Sequence, residues 1–111
     1  LSIQIQEGIG ILRGPWCASV SLAKVAGREV AVRAARSGDR MEPYGMEGSK
    51  KLQDIFTDLK IPKAQRESWP VVECSGEIIW LPGYRIARGW ELSSDCEPAL
   101  HLFRLRDVRA S

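Results

Sequence analysis

The stretch that most constrains this chain runs from residue 38 to residue 70, GDRMEPYGMEGSKKLQDIFTDLKIPKAQRESWP. Leu52, Ile55, Phe56 and Leu59 recur at i, i+3, i+4 and i+7, the spacing of one helix face, and all four are expected in the core. Ser49 is a candidate N-cap, because its hydroxyl can accept from an amide of the first turn. Ile61 precedes Pro62 and is held toward extended geometry, so the helix should end near Lys60. Pro62, which has no amide to leave unpaired, suits the first position of a second short helix through Arg66.

Charge is placed unusually at the start of the first helix. Lys50 and Lys51 fall in its first turn, where the helix dipole favours anions. Two readings follow. Either an anion such as phosphate sits among these lysines, or Lys50 pairs with Asp54 one turn on and both are solvated. From Arg33 to Arg66 eight basic residues (Arg33, Arg36, Arg40, Lys50, Lys51, Lys60, Lys63, Arg66) face five acidic ones, although the whole chain carries only +2. Arg104, Arg106 and Arg109 add to this near the C-terminus. A basic patch forms if the fold gathers these side chains on one side.

At 111 residues the chain fits one domain, able to bury roughly 65% of its unfolded surface without staples. Its 44% hydrophobic and 27% charged residues are those of an ordinary soluble protein. No apolar run reaches the length of a membrane span, and no signal segment opens the chain. Leu at position 1 is expected of a piece of a longer chain. Cys17, Cys74 and Cys96 are odd in number and lack C-x-x-C spacing, which argues against a disulfide framework or a zinc site and for reduced thiols in the cytoplasm. His101, the single histidine, lies in an apolar run and reads as structural.

The remainder reads as strands. Residues 2–6 alternate polar and apolar, as a half-buried strand does. Gly8, Gly10 and Gly14 miss the dinucleotide fingerprint by one residue, and no helix follows them, so they read as turns or bulges. Residues 17–25 alternate again. Glu29 to Ala35 gives a third strand with Val30 and Val32 on one face. Val71–Cys74 and Glu77–Leu81 flank Ser75-Gly76, a hairpin turn. Tyr84–Ala87 and Leu100–Val108 read as further strands, the last with Arg104 and Arg106 on a shared face. Trp80 belongs to the core, whereas Trp69 and Tyr84 lie nearer turns and are more open. The fold expected is α+β, a mainly antiparallel sheet or small open barrel with one or two short helices packed on it, over residues 1–111 as a single domain.

No phosphate-cradling loop, H-E-x-x-H or triad is present, and Glu73 and Glu77 read as exposed carboxylates beside the hairpin turn. No catalytic, cofactor or metal residue is therefore expected in this chain.

Gly38-Asp39-Arg40, Gly48-Ser49-Lys50-Lys51-Leu52, Asp58-Leu59-Lys60-Ile61-Pro62, Arg66 and Pro70 resemble the C-terminal domain of bacterial tRNA(Ile)-lysidine synthases. Gly76-Glu77-Ile78-Ile79-Trp80 and Gly83-Tyr84-Arg85-Ile86 continue the likeness, which covers Arg36 to Leu92. Those enzymes use ATP, with Mg, to attach lysine to the wobble cytidine of tRNA(Ile), in an N-terminal ATP-pyrophosphatase domain whose motifs are absent here. The resemblance implies a cytoplasmic, non-catalytic tRNA-binding domain that meets the acceptor stem and works beside its own catalytic domain. The matched motifs contain Arg40, Lys50, Lys51, Lys60 and Arg66, and with the nearby basic residues Arg36 and Lys63 these are the expected RNA contacts. Two alternatives stand beside it. One is a module that docks on the catalytic domain or forms a homodimer, with little RNA contact. The other is an independent small enzyme, for which the sequence offers poor candidates.

Overall fold

The computed structural model describes residues 2–104. The strands are β1 (Ile3–Ile9), β2 (Cys17–Ser21), β3 (Val30–Ala34), β4 (Arg40–Met41), β5 (Lys50–Lys51), β6 (Pro70–Cys74), β7 (Glu77–Trp80) and β8 (Pro98–Arg104). Three short helices lie among them, α1 (Leu22–Val25), α2 (Leu52–Asp58) and α3 (Lys63–Arg66). The strands form two three-stranded sheets, ordered β1-β8-β2 and β3-β6-β7, and a ribbon of β4 with β5, all antiparallel. The expected α+β class with short helices on antiparallel sheet is what is found, as separate small sheets rather than one barrel.

The β6–β7 hairpin forms where expected. Ser75 and Gly76 both take positive φ, 52° and 86°, the pair of angles a two-residue turn needs to match strand twist. Its strands carry much of the core: Val71, Val72, Cys74, Ile79 and Trp80 are buried, and Trp90, Leu81 and Leu102 pack into the same cluster. Leu52, Ile55 and Phe56 of α2 close the core from the other side.

Several expectations change. Leu22–Val25 is helical rather than strand, because Ser21 accepts from the Lys24 amide at 3.2 Å and caps a single turn. β1 is longer than expected. It runs straight through Gly8 in unbroken register with β8, but as an edge strand it leaves Ile5 and Ile9 38% and 64% exposed. Val32 is likewise exposed, since β3 is the edge of its own sheet, and the other face of β3 carries the inward-turned Arg33. Tyr84–Ala87 makes only isolated bridges, Trp80 with Ile86 and Pro43 with Ala87. Arg106 and the rest of the expected strand beyond Arg104 lie outside the described residues.

Leu59 is 38% exposed, not core. The reason lies in how α2 ends. Lys60 sits in the left-handed region at φ 59°, its amide donates to Thr57 O, and the Ile61 amide reaches back to Phe56 O at 3.0 Å. That pair of bonds is a Schellman cap, and it swings Ile61 into the core in place of Leu59.

Asp39 organises the segment between β3 and α2. Its carboxylate accepts from both terminal nitrogens of Arg33, at 2.9 and 3.0 Å, and from the Arg36 amide at 2.7 Å. The Asp39 carbonyl accepts from the amide of Leu52, the first residue of α2, at 3.0 Å. Arg33 also donates to Glu73 on β6 at 2.8 Å. Burial opposes the Asp39 charge, but the bonds from Arg33 and from the Arg36 amide outweigh it and hold the carboxyl below its ordinary value. Its bond to Asp39, working against burial and reinforced by the bond to Glu73, correspondingly raises the Arg33 guanidinium.

Two predictions follow from these arrangements. Lys60→Gly removes a left-handed non-glycine residue and should stabilise the fold by about 1 kcal/mol, read as a rise in Tm of roughly 4–8 °C. Asp39→Asn leaves Arg33 with Glu73 as its one carboxylate partner and should cost about 2 kcal/mol in urea unfolding, less than a fully buried pair because some solvent and Glu73 both reach the guanidinium. The sign of the pH effect follows from linkage. A carboxyl whose folded pKa lies below its ordinary 3.8 contributes stability that is complete above that value and is lost as pH falls through the folded one. The urea midpoint should therefore drop below about pH 4, and Asp39→Asn should remove that part of the drop.

Candidate nucleic-acid interface

The turn fixed by Asp39 forms one wall of a groove of about 500 Å³. α2 supplies the buried Leu52 and Phe56, β5 supplies Lys51, the turn supplies Arg36 and Gly38, and the end of α3 supplies Arg66 and Glu67. Three residues expected to meet RNA, Arg36, Lys51 and Arg66, thus converge on one concavity although they are far apart in sequence.

Arg66 is held in position. Its Nε donates to Ile61 O at 2.9 Å, its Nη1 lies 3.4 Å from Thr57 Oγ1, and its guanidinium stands 5.9 Å from the centre of the Phe56 ring. The Schellman turn that buries Ile61 therefore also orients this cation. Arg36 and Lys51 are exposed, and among the described residues neither makes an ion pair. The one acid on β3's side of the groove, Asp39, is already matched by Arg33. With Asp39 matched, three cations face a single remaining acid, Glu67, and such a concavity is suited to an anion.

The remaining expected contacts are placed elsewhere. Arg40 donates to Ser49 Oγ at 3.0 Å and lines a separate hollow with Glu42 and Glu77. Lys50 is bonded to Asp58 at 2.7 Å, a hydrogen bond that raises its pKa; its partner is not Asp54. Lys60 and Lys63 are exposed beyond the groove, on the turn after α2 and on α3. Ser49 is not the N-cap, and Lys50 and Lys51 are not in the first turn of the helix. They pair as β5 with β4, Arg40 opposite Lys51 and Met41 opposite Lys50, and Lys51 itself stands at the N-cap without a side-chain bond. The dipole argument for a phosphate at these lysines therefore falls away, and the groove replaces it.

Glu73 and Glu77 are not idle turn carboxylates: Glu73 holds Arg33, and Glu77 accepts from the Trp90 indole at 3.0 Å. Trp69 is tied down as well, donating to Pro82 O at 3.0 Å and packing against Trp16 and Phe56. Sequence reasoning overlooked Glu67, whose only signal was its place next to Arg66. Tyr44 is 48% exposed on a loop pinned by Arg85 to Tyr44 O and by Arg88 to Met46 O, away from the groove. Cys74 is buried and Cys96 exposed, the Cys17 thiol donates to Arg13 O at 3.1 Å, and no metal-binding cluster occurs among the described residues. No helix among them is long and apolar enough to cross a membrane.

Comparison with known proteins bears on this geometry. A family profile described as the TilS substrate C-terminal domain matches residues 30–102, which contain every residue of the groove. The tRNA(Ile)-lysidine synthase of Bacillus subtilis (strain 168) is 49% identical over 57 residues, 50% of this chain and 12% of that protein. The tRNA(Ile)-lysidine synthase of Clostridium acetobutylicum is 35% identical over 80 residues, 72% of this chain and 17% of that protein. This chain thus spans less than a fifth of the length of either relative. A crystal structure of a TILS C-terminal domain superposes with a TM-score of 0.78 at 33% identity, covering 91% of this chain and 80% of that one. The chain belongs to the TilS substrate C-terminal domain family, whose full-length relatives are named tRNA(Ile)-lysidine synthases.

Proposed function

We propose that this chain is the non-catalytic tRNA-binding domain of a tRNA(Ile)-lysidine synthase and that it holds the acceptor stem of tRNA(Ile). The observation that supports this most is the convergence of Arg36, Lys51 and Arg66 on one groove. Duplex RNA is read mainly through phosphates, 2′-hydroxyls and shape, and pre-oriented cations are what such reading requires. ATP, with Mg, and the lysine-transfer chemistry belong in this reading to a separate catalytic domain of a cytoplasmic enzyme. A domain with a handful of phosphate contacts binds weakly by itself. Tethered to a domain that grips the anticodon, it gains from effective concentration. Arg40, Lys50, Lys60 and Lys63 act here as outer contacts, with Lys50 exchanging Asp58 for phosphate.

A second reading has its own support in β1. Ile5 and Ile9 extend the apolar face of the first sheet past its covered part, and this is the surface a docking module presents to the catalytic domain or to a second copy. The two readings use different faces and respond to different variants.

Binding of this chain to tRNA(Ile) and to its acceptor-stem duplex across a salt series tests the first reading. The combined variant Arg36→Ala/Lys51→Ala/Arg66→Ala should lower the slope of log K against log salt by about 2–3. Lys60→Ala/Lys63→Ala should lower it less. A slope unchanged in the triple variant, with affinity lost instead in Ile5→Ser/Ile9→Ser full-length enzyme, would replace the RNA reading with docking.

A further inference from the structure

The groove has features that phosphate contact along a duplex does not need. It is concave, it has an apolar base in Leu52 and Phe56, and it carries a carboxylate, Glu67, beside its cations. Pre-oriented cations are enough to meet the phosphates of a duplex, without an apolar base or an acid beside them. A volume of about 500 Å³ is within the range of small-molecule sites and admits one nucleotide unit. An acid would weaken a site devoted to phosphate alone. It is, however, the usual acceptor for ribose hydroxyls, as in dinucleotide sites.

We infer that this groove is a single-ribonucleotide subsite, in which Arg36, Lys51 and Arg66 take the phosphate and Glu67 accepts from the ribose 2′-hydroxyl. The inference rests on the RNA reading above and adds to it a site for one unpaired or terminal nucleotide and a residue that tells RNA from DNA. Glu67 is suited to the part by its position. It follows Arg66 directly and stands at the C-cap of α3, so it lines the groove beside the cation that Ile61 O and the Phe56 ring hold in place. It is exposed, and among the described residues it makes no ion pair that would occupy it. The 2′-hydroxyl is the one group of a nucleotide that separates the two nucleic acids at a given site.

The test is an amide chemical-shift titration of this chain with adenosine 5′-monophosphate and with its 2′-deoxy counterpart, small probes that remove any difference in helix form. The ribonucleotide should shift the amides of Ser37, Gly38, Leu52 and Glu67 at ~1 mM, and the deoxynucleotide should bind about fivefold more weakly. Glu67→Ala should bring the two affinities together, whereas Glu67→Gln, which keeps a carbonyl acceptor, should retain part of the preference. Equal binding of both probes by the unsubstituted chain overturns the inference. So does a Glu67→Ala chain that binds both more tightly with their ratio unchanged, which would mark Glu67 as a repelling charge only. Salt-dependent tRNA binding measured in parallel separates the claims. If tRNA binds and the probes are not distinguished, the ribonucleotide subsite fails and the RNA reading stands. If neither tRNA nor probe binds, both fail.

Discussion

The Asp39 carboxylate is the contact on which the rest of this structure depends. It draws together Arg33 on β3 and the Arg36 amide, while the backbone carbonyl of the same residue accepts from Leu52 at the start of α2. The carboxylate works there beside the bond from the Asp39 amide to Arg36 O and the positive φ of Gly38, 88°, in turning the chain back between β3 and α2. With it, Arg36 comes to face Lys51 across a groove, and β4 and β5 are brought close enough to pair. The charge economy is consistent with this role. Arg33, Asp39 and Glu73 satisfy one another, while Arg36 and Lys51 are left for solvent or a ligand.

Beside the shared aliphatic core, a run of aromatic rings joins the two sheets. Phe56 packs edge-on against Trp69 at 6.0 Å, Trp69 meets Trp16 at 5.5 Å, and the Arg104 guanidinium lies 4.1 Å over Trp16. Gly83 passes beside this stack, and a side chain there would meet Trp69 at 3.3 Å and Trp16 at 3.4 Å. Phe56 therefore has two neighbours of consequence, the aromatic stack and Arg66. A ligand that engages Arg66 sits one ring away from Trp69, which links the groove mechanically to the sheet of β1, β2 and β8.

What the sequence disclosed and what it withheld divide along local and non-local causes. The β6–β7 hairpin was legible because Ser75-Gly76 carries its own turn geometry. The face of α2 was legible through Leu52, Ile55 and Phe56, but not at Leu59, because a lysine in the left-handed region gives no residue-type signal for a Schellman cap. Lys50 and Lys51 were misplaced by one element. Their pairing as β5 depends on Asp39 contacting Leu52, and periodicity cannot report a contact thirteen residues long. The groove was half legible. Arg36, Lys51 and Arg66 stood among the basic residues that the family resemblance singled out, yet nothing in the order of residues separated them from Arg40, Lys60 and Lys63, which face elsewhere. Glu67 was hidden because an acid next to an arginine is common on any surface.

The central claim is that placement of cations, set by Asp39, matters more to RNA affinity than the amount of positive charge. Affinity of Asp39→Asn for tRNA(Ile), measured at a temperature where the variant remains folded, tests it directly. The substitution removes a negative charge, so long-range attraction alone would make binding tighter. The account predicts weaker binding, because Arg36 and Lys51 no longer converge once the turn is released. Tighter or unchanged binding by Asp39→Asn would contradict it.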